Sequence, residues 1–223
     1  MRILEEALKL FAHRGFAATG LRDIASSVGL RASSLYNYFA TKDDLLREML
    51  TGGMERFIRA GELALEGRSS PAERLVALTR SHVAVQALFP LTSMLNDVEV
   101  RSLEGEAREV VVELRDRYDR TLDAILRDGS ESGVFTGETT HLTRLAIAEM
   151  NSGVSRWFRP AGPSPLTVVC DHFAQLSLDM AVAQVRGTRL TVDQVTDHGS
   201  GFEIDLALAA HRDFWESPSM TNY

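Results

Sequence analysis

Hydrophobic residues recur at spacings of three and four along most of the chain, and this period constrains the fold more than any other feature of the sequence. In the first segment Leu4, Ala7, Leu8 and Phe11 follow the spacing until Gly15, where a glycine is expected to end the helix. No stretch alternates between apolar and polar residues for long enough to predict a strand. The sequence therefore predicts an all-α fold.

Cap and break residues divide the chain into further helices. Thr19 is expected to cap a second short helix, and Gly29 is expected to end it. The run SPAE from Ser70 is typical of a capping box with proline at the first helical position, and Pro90 is expected to break the helix that follows. The helices predicted after the first one span about residues 21–28, 32–39, 42–63, 71–89, 104–128, 139–158, 165–186 and 204–215.

The composition of the 223 residues is that of a globular protein, with 44% hydrophobic and 25% charged residues. No apolar run reaches the ~18 residues that a membrane span needs. Cys170 is the single cysteine, which excludes an internal disulfide and a Cys-based zinc site. We therefore expect a cytoplasmic protein that does not insert into a membrane.

Charge is unevenly distributed along the chain. The formal net charge is −7, and residues 1–49 hold seven basic and six acidic residues, which gives them a net charge of +1. The 17 basic and 25 acidic residues that follow give the rest of the chain a net charge of −8. Because DNA phosphates attract basic surfaces, the acidic C-terminal part is an unfavourable place for phosphate to bind.

The segment RASSLYNYF is predicted to present two different faces. Residues three and four apart share a helix face, so Leu35 and Phe39 are predicted to pack inward. Ser33, Tyr36 and Asn37 then point outward. This outward set suits a DNA groove, because a small residue allows close approach, asparagine can pair with an adenine edge, and a tyrosine hydroxyl can donate to phosphate.

The same region has the layout of a helix-turn-helix, with residues 21–28 as the first helix, Gly29 in the turn and residues 32–38 as the recognition helix. The whole run ILEEALKLFAHRGFAATGLRDIASSVGLRASSLYNYFATKDDLLREML, residues 3–50, resembles the DNA-binding domain of TetR-family transcriptional regulators. The resemblance rests on the opening LFAHRGF, on the helix and turn around DIASSVGL, and on the closing LYNYFATKDDL.

The resemblance implies an all-α regulator with a helix-turn-helix domain at residues 1–48 and a helical ligand-sensing and dimerising domain at residues 49–223. Arg31 departs from the family pattern, which usually has a serine or threonine cap there, and Ala32 replaces a common basic residue. Tyr38 can also pack beside the inward face. The DNA-binding residues implied by the resemblance are Thr19, Arg22, Arg31, Ser33, Ser34, Tyr36, Asn37, Tyr38 and Lys42.

A second resemblance covers residues 150–180, MNSGVSRWFRPAGPSPLTVVCDHFAQLSLDM. This segment is similar to one in a branch of TetR regulators that control fatty-acid and sterol-ring catabolism and respond to acyl-CoA thioesters. Arginine can pair with phosphate and an indole ring can stack on adenine, whereas the alternative is that Trp157 anchors a core or an interface. The predicted effector-binding residues are Arg156, Trp157 and Arg159 for the head group, with Val85, Leu88, Phe89, Met94, Tyr118 and Leu122 along an apolar tunnel or in a plain core.

A homodimer is expected on physical grounds. One helix-turn-helix contacts few bases, so two copies about one DNA turn apart are needed for useful specificity on a near-palindromic operator. The predicted helices 139–158 and 165–186 are the candidate interface, although their apolar residues can also pack within one subunit. The expected activity is that of a repressor which leaves its operator when a small molecule binds.

No catalytic or cofactor-binding motif is present in the sequence. His82, His141, His172 and His211 occur singly on predicted helices, without a partner at metal-ligand spacing. The sequence therefore predicts no enzyme, no cofactor and no metal site. Two other interpretations stay open, namely a protein-interaction or sensor module that has lost DNA binding and a small helical enzyme.

Overall fold

The computed structural model describes residues 2–138, 141–196 and 198–216. The predicted all-α class is confirmed, with one short hairpin besides the helices of the described residues. None of these helices is both long and apolar enough to cross a membrane. The elements are α1 (Arg2–Arg14), α2 (Leu21–Ser27), α3 (Ala32–Leu35), α4 (Lys42–Leu65), α5 (Pro71–Leu88), α6 (Pro90–Glu99), a 3-10 turn (Val100–Ser102), α7 (Gly105–Glu131), α8 (His141–Ser152), α9 (Val154–Trp157), α10 (Leu166–Met180), β1 (Gln184–Val185), β2 (Thr188–Arg189), α11 (Val192–Val195) and α12 (Gly201–Glu216).

The chain divides into two compact units. The first unit contains, of the described residues, 2–56, 90–115 and 211–216. Within it α1 packs against α2 and α6, and α2 packs against α3. The apolar stripe predicted for α1 supplies part of its core, which includes the buried side chains of Leu4, Ala7, Phe11, Ile24, Leu35, Phe39, Leu45, Leu46 and Leu103.

The second unit contains residues 57–89 and 116–210. Its centre is α5, which packs against α8, α9, α10 and α11. Every side chain from Leu75 to Ala87 is buried, including those of Arg80, His82 and Gln86. The predicted capping box at the start of α5 is present, with Ser70 accepting a hydrogen bond from the Glu73 backbone N–H.

Several predicted helix boundaries are wrong. The N-cap of α2 is Gly20, whose N–H donates to Asp23 Oδ2 at 2.8 Å, and not Thr19. The predicted break at Pro90 is correct, since α5 ends at Leu88, but Pro90 also begins α6, a helix that was not predicted. The predicted helix 139–158 is divided near Gly153 into α8 and α9, and α7 continues through Gly129 to Glu131.

Gly129 allows α7 to pass beneath the ring of Phe135. A Cβ atom at this position would stand 2.0 Å from the Phe135 ring, so a larger residue cannot be accommodated without displacing that buried side chain. Gly129 therefore lies inside α7, where it makes room for Phe135, and it does not mark the end of the helix.

The hairpin β1–β2 replaces the end of the predicted helix 165–186. Arg186 and Gly187 have φ angles of 52° and 77°, as in the two-residue turns that suit the twist of antiparallel strands. Each strand has two residues, which is too short for an alternating pattern to be recognised in the sequence.

A buried charge network ties the start of α12 to α5 in the second unit. Arg80 binds Asp171 at 2.7 Å and donates to the His198 carbonyl oxygen at 3.1 Å. Glu203 is fully buried and lies 2.7 Å from Arg68 and 3.9 Å from Arg80. Burial of a carboxylate carries a desolvation penalty, and the ion pairs with these two arginines offset that penalty for Glu203.

Replacing Glu203 with glutamine should strongly destabilise the fold. The substitution keeps the shape of the side chain but leaves the buried Arg80 and the partly buried Arg68 without this carboxylate, so we expect the free energy of unfolding to fall by about 3 to 5 kcal/mol. Urea denaturation at fixed protein concentration, followed by circular dichroism, measures the change. The control is Asp205→Asn at an exposed position of the same helix, and equal midpoints for the two variants would contradict the prediction.

Candidate DNA interface and effector site

The recognition segment separates its side chains as predicted. Leu35 and Phe39 are buried against the first unit, whereas Tyr36 and Tyr38 are 51% and 45% exposed. Asn37 and Ser33 are also exposed. α3 itself ends at Leu35, and the chain continues as a turn in which the Tyr38 and Phe39 N–H groups donate to the Leu35 carbonyl.

The two arginines near the recognition segment, Arg22 and Arg31, are both exposed. Ser34, on the recognition helix itself, is half-buried. Arg31 holds the N-cap position of α3 without making a side-chain cap hydrogen bond. A guanidinium group has only donors and cannot accept from the first N–H groups of a helix, so Arg31 presents its charge to the surroundings instead.

Two of the predicted phosphate contacts make bonds within the first unit. Thr19 is buried and its hydroxyl donates to the Gly15 carbonyl at 3.0 Å, which is at odds with the prediction that this side chain meets a phosphate. The Lys42 ammonium donates to the Phe16 carbonyl at 2.8 Å and lies 4.1 Å from the centre of the Phe16 ring. Lys42 therefore joins the start of α4 to the beginning of the α1–α2 connection.

The residues predicted to line an apolar tunnel for the effector fall into three groups. Val85, Leu88 and Phe89 join one apolar cluster in the second unit, which also includes Phe158. Tyr118 and Leu122 are buried on α7. Met94 is exposed and belongs to the first unit, outside this cluster, so its prediction as a tunnel residue has no support.

The segment RWFR places an aromatic ring between two arginines at the surface. Trp157 is 51% exposed, with its ring centre 6.0 Å from Phe173 and 6.3 Å from Phe158. Arg156 and Arg159 are exposed, and Arg159 donates to the Phe158 carbonyl at 2.7 Å. The segment therefore has a cationic and aromatic outer side, while Phe158 faces the apolar cluster.

A buried polar cluster was not predicted from the sequence. His82 Nδ1 lies 2.8 Å from the Tyr118 hydroxyl, and His82 Nε2 lies 3.2 Å from the Ser152 hydroxyl and 3.4 Å from Gln86 Nε2. The Phe57 ring packs edge-on against His82 at 4.7 Å. We use the name buried polar cluster for His82, Gln86, Tyr118 and Ser152 together with Asn151, the buried residue next to Ser152 in the chain.

Burial keeps the cluster uncharged. It lowers the pKa of His82 from 6.5 to about 3, because a charged imidazole would lose its hydration. Burial, aided by the charge of Asp119, raises the pKa of Tyr118 well above its ordinary value. His82 and Tyr118 are therefore both neutral near pH 7 and can act only as hydrogen-bonding groups.

Among the described residues, the histidine, acidic and cysteine side chains form neither a metal site nor a reactive thiol site. Among the residues that the structure describes, no three histidine, cysteine or acidic side chains are close enough to hold a metal ion. Cys170 is buried and its thiol lies 3.7 Å from the Arg80 carbonyl oxygen. Burial raises the pKa of this thiol to about 12, which leaves it unreactive.

Two short helices joined by a turn, with exposed side chains on the second and buried residues beneath it, have the arrangement of a helix-turn-helix DNA-binding regulator. Residues 3–49 match the family described as bacterial regulatory proteins, tetR family, and residues 68–181 match the tetracyclin repressor-like C-terminal domain. The transcriptional repressor KstR2 of Mycobacterium tuberculosis (strain ATCC 25618 / H37Rv) is 30% identical over 164 residues, which cover 72% of this chain and 82% of KstR2. The chain belongs to the TetR family of bacterial transcriptional regulators.

Solved structures share the same fold. The crystal structure of the TetR-family regulator PfmR from Thermus thermophilus is 35% identical, with a TM-score of 0.73 over 80% of this chain and 98% of PfmR. AibR in complex with isovaleryl coenzyme A and operator DNA has a TM-score of 0.72 at 22% identity, over 78% of this chain and 95% of AibR. The second comparison concerns the fold alone.

Acid should destabilise the protein through His82. Below pH 6.5 the unfolded chain gains a proton at this residue, whereas the folded chain does so only near pH 3, so the unfolded state gains stability as the pH falls. Between these values we expect the free energy of unfolding to fall by up to about 1.4 kcal/mol per pH unit. Replacing His82 with glutamine should remove the contribution of this residue to the slope.

The difference in slope between His82→Gln and the unmodified protein gives the contribution of His82 to the pH dependence of the free energy of unfolding. His211, whose pKa burial lowers to about 4, acts in the same direction and is present in both proteins. His172→Gln, at an exposed position of α10, is the control and should keep the full slope. Equal slopes for the His82 variant and the unmodified protein in urea titrations from pH 7 to pH 4 would contradict the assignment.

Proposed function

We propose that this TetR-family regulator is a homodimeric repressor that leaves a near-palindromic operator when a small molecule binds its second unit. The observation that supports DNA reading is the exposed set Ser33, Tyr36 and Asn37, which is carried by a segment that Leu35 and Phe39 hold in place. Exposed aromatic and amide side chains beside a helix turn have the chemistry of base and phosphate contact. Arg22 and Arg31 add charge near the same surface.

Exposed apolar residues on α8 and α10 support dimerisation. Leu142 and Leu145 are exposed on α8, the first at 71%, and Val168 and Met180 are exposed on α10. The opposite side of α8 buries Ile147. A second copy of the chain would cover these exposed residues, forming a four-helix interface from α8 and α10 of both subunits.

An acyl-CoA thioester is the effector that the second unit suits best. Trp157 offers a surface for the adenine ring, and Arg156 and Arg159 offer charge for phosphates. The apolar cluster with Val85 and Phe158 can receive an acyl chain. AibR, which has the same fold, was solved with isovaleryl coenzyme A and operator DNA, and this supports the proposal.

Release from DNA follows from a shift between two arrangements of the dimer. One arrangement spaces the recognition segments for successive major grooves, and the other does not. The effector must bind the second arrangement more tightly, since equal affinity for both would leave the operator occupied. The alternative of an interaction module without DNA binding predicts no operator affinity, so the following experiment distinguishes the two functions.

Replacing Asn37 with alanine should weaken operator binding with no loss of fold. The lost amide contact to a base is worth about 1 to 3 kcal/mol, so we expect a loss of about tenfold or more in affinity. Fluorescence anisotropy with the promoter fragment next to the protein's own gene measures this loss. Sedimentation of the complex should show that an even number of protein chains is bound to each DNA duplex. Tyr36→Phe should also bind more weakly.

The control for DNA binding is Glu109→Ala at an exposed position of α7, which should bind as tightly as the unmodified protein. Circular dichroism of each variant checks the fold. If the unmodified dimer binds the promoter fragment no better than scrambled DNA at low salt, the proposed function is wrong. A protein-interaction role would then be the better description.

Replacing Trp157 with alanine should reduce the response to an acyl-CoA. We expect decanoyl-CoA, but not free decanoate, to release the unmodified protein from its operator. Because stacking of a base on an aromatic ring is worth about 1 to 3 kcal/mol, the variant should need at least about tenfold more decanoyl-CoA. The measurement is the decanoyl-CoA concentration that halves the anisotropy of bound DNA.

Phe202→Ala is the control for Trp157, because Phe202 is an aromatic residue of the same unit with similar exposure. It should leave the response unchanged. If Trp157→Ala instead yields monomers in sedimentation, Trp157 is an interface anchor, and the proposed contact with the nucleotide is wrong.

A further inference from the structure

Two amide side chains of the buried polar cluster have polar atoms without partners. Gln86 is 6% exposed and Asn151 is 2% exposed, and Gln86 Oε1 and Asn151 Oδ1 have no hydrogen-bond partner among the described residues. Buried amide oxygens in folded proteins almost always accept a hydrogen bond. Gln86 Oε1 lies in a cluster whose other groups contact one another, and Asn151 Oδ1 is on the residue next to Ser152. Both atoms therefore mark buried positions where a further molecule can form hydrogen bonds.

The conclusion does not depend on how the Gln86 amide is oriented. In the observed orientation Nε2 faces His82 and Oε1 has no donor. If the amide were reversed, its oxygen would face His82 Nε2, and its NH₂ group would take the position without a partner. One end of this amide is therefore available to a ligand in either case.

The charge of the cluster limits what can bind there. His82 and Tyr118 are neutral, and the other members, Gln86, Asn151 and Ser152, carry no charge. A carboxylate or an ammonium group would lose its hydration here without meeting an opposite charge among these five residues. The group that fits is uncharged and polar, such as a hydroxyl or a ketone.

The apolar surroundings define the rest of the ligand. The ring of Phe57 lies 4.7 Å from His82 and 4.3 Å from Tyr118, and Phe57 also packs against the apolar cluster that contains Phe158 and Val85. Phe57 therefore contacts both the buried polar cluster and the apolar cluster. A ligand that reaches the amides must carry an apolar body.

We propose that the buried polar cluster binds an uncharged oxygen group, a hydroxyl or a ketone, on the apolar part of the effector, with Gln86 and Asn151 as its hydrogen-bond partners. The inference rests on the proposed function, because it assigns the effector class of the same second unit. It adds that an acyl chain or ring with such an oxygen binds better than one without it.

Three small cyclic molecules test this preference on the full-length protein. Cyclohexanone and cyclohexanol carry the oxygen group, and methylcyclohexane has similar size and lacks it. Titration with saturation-transfer NMR, with methylcyclohexane kept below its low aqueous solubility, should show at least tenfold tighter binding of the two oxygenated molecules. The side-chain amide resonances of Gln86 and Asn151 should shift with cyclohexanone and not with methylcyclohexane.

Gln86→Met, which keeps the length of the side chain and removes the amide, should abolish the preference, whereas the control Gln184→Met in the hairpin should keep it. The inference is overturned if none of the three molecules binds the unmodified protein, if methylcyclohexane binds equally well, or if the amide resonances stay fixed because ordered water already fills the site. The amide measurement needs no variant, so a misfolded Gln86→Met protein leaves the test intact.

Operator binding is measured separately on the same preparation. A protein that binds the operator but shows no preference for the oxygenated molecules contradicts this inference alone. A protein that shows the preference but does not bind DNA contradicts the proposed function and leaves the cluster as a binding site.

Discussion

The arrangement of the second unit depends on the burial of α5 on every side. A helix in this position would be expected to be apolar, yet α5 carries Thr79, Arg80, His82 and Gln86 inside. A polar group without water must find a partner in the protein. The surrounding helices supply these partners, and their positions are therefore constrained by the polar groups of one helix.

The partners come from different parts of the chain. The Thr79 hydroxyl donates to Ser177 on α10 at 3.1 Å, and Arg80 binds Asp171 on the same helix. Glu203 brings in α12 through the arginines, and His82 brings in Tyr118 of α7 and Ser152 of α8. The charged groups of this set form ion pairs, although Arg80 Nε and Glu203 Oε2 have no hydrogen-bond partner among the described residues. The amide of Gln86, one turn after His82, is half-paired and uncharged, so a neutral polar group can complete its hydrogen bonds.

The sequence predicted the exposed and buried faces of the recognition segment better than the interior of the second unit, for a physical reason. In the recognition segment the separation of Leu35 from Tyr36 follows from helical spacing alone, so a local pattern suffices. The partners of His82 lie 36 and 70 residues away in the chain, and nothing near position 82 indicates them. A helix buried on all sides also has no polar face, so its period gives no sign that polar residues such as Arg80 point inward. The inward position of Thr19 was missed for a related reason, because a threonine before a helix also suits a cap.

Continuity of the chain gives the proposed regulation a physical route. α4 begins at Lys42, which binds the Phe16 carbonyl in the first unit, and the same helix carries Phe57, which contacts His82 and Tyr118 in the second. α7 likewise contains residues of both units. In the proposed regulation, a ligand that displaces Phe57 or Tyr118 would act on α4 or α7, which both contain residues of the first unit. Such a ligand changes DNA affinity only if the two arrangements bind it differently, and an unsatisfied amide provides that difference when it is accessible in one arrangement and closed in the other.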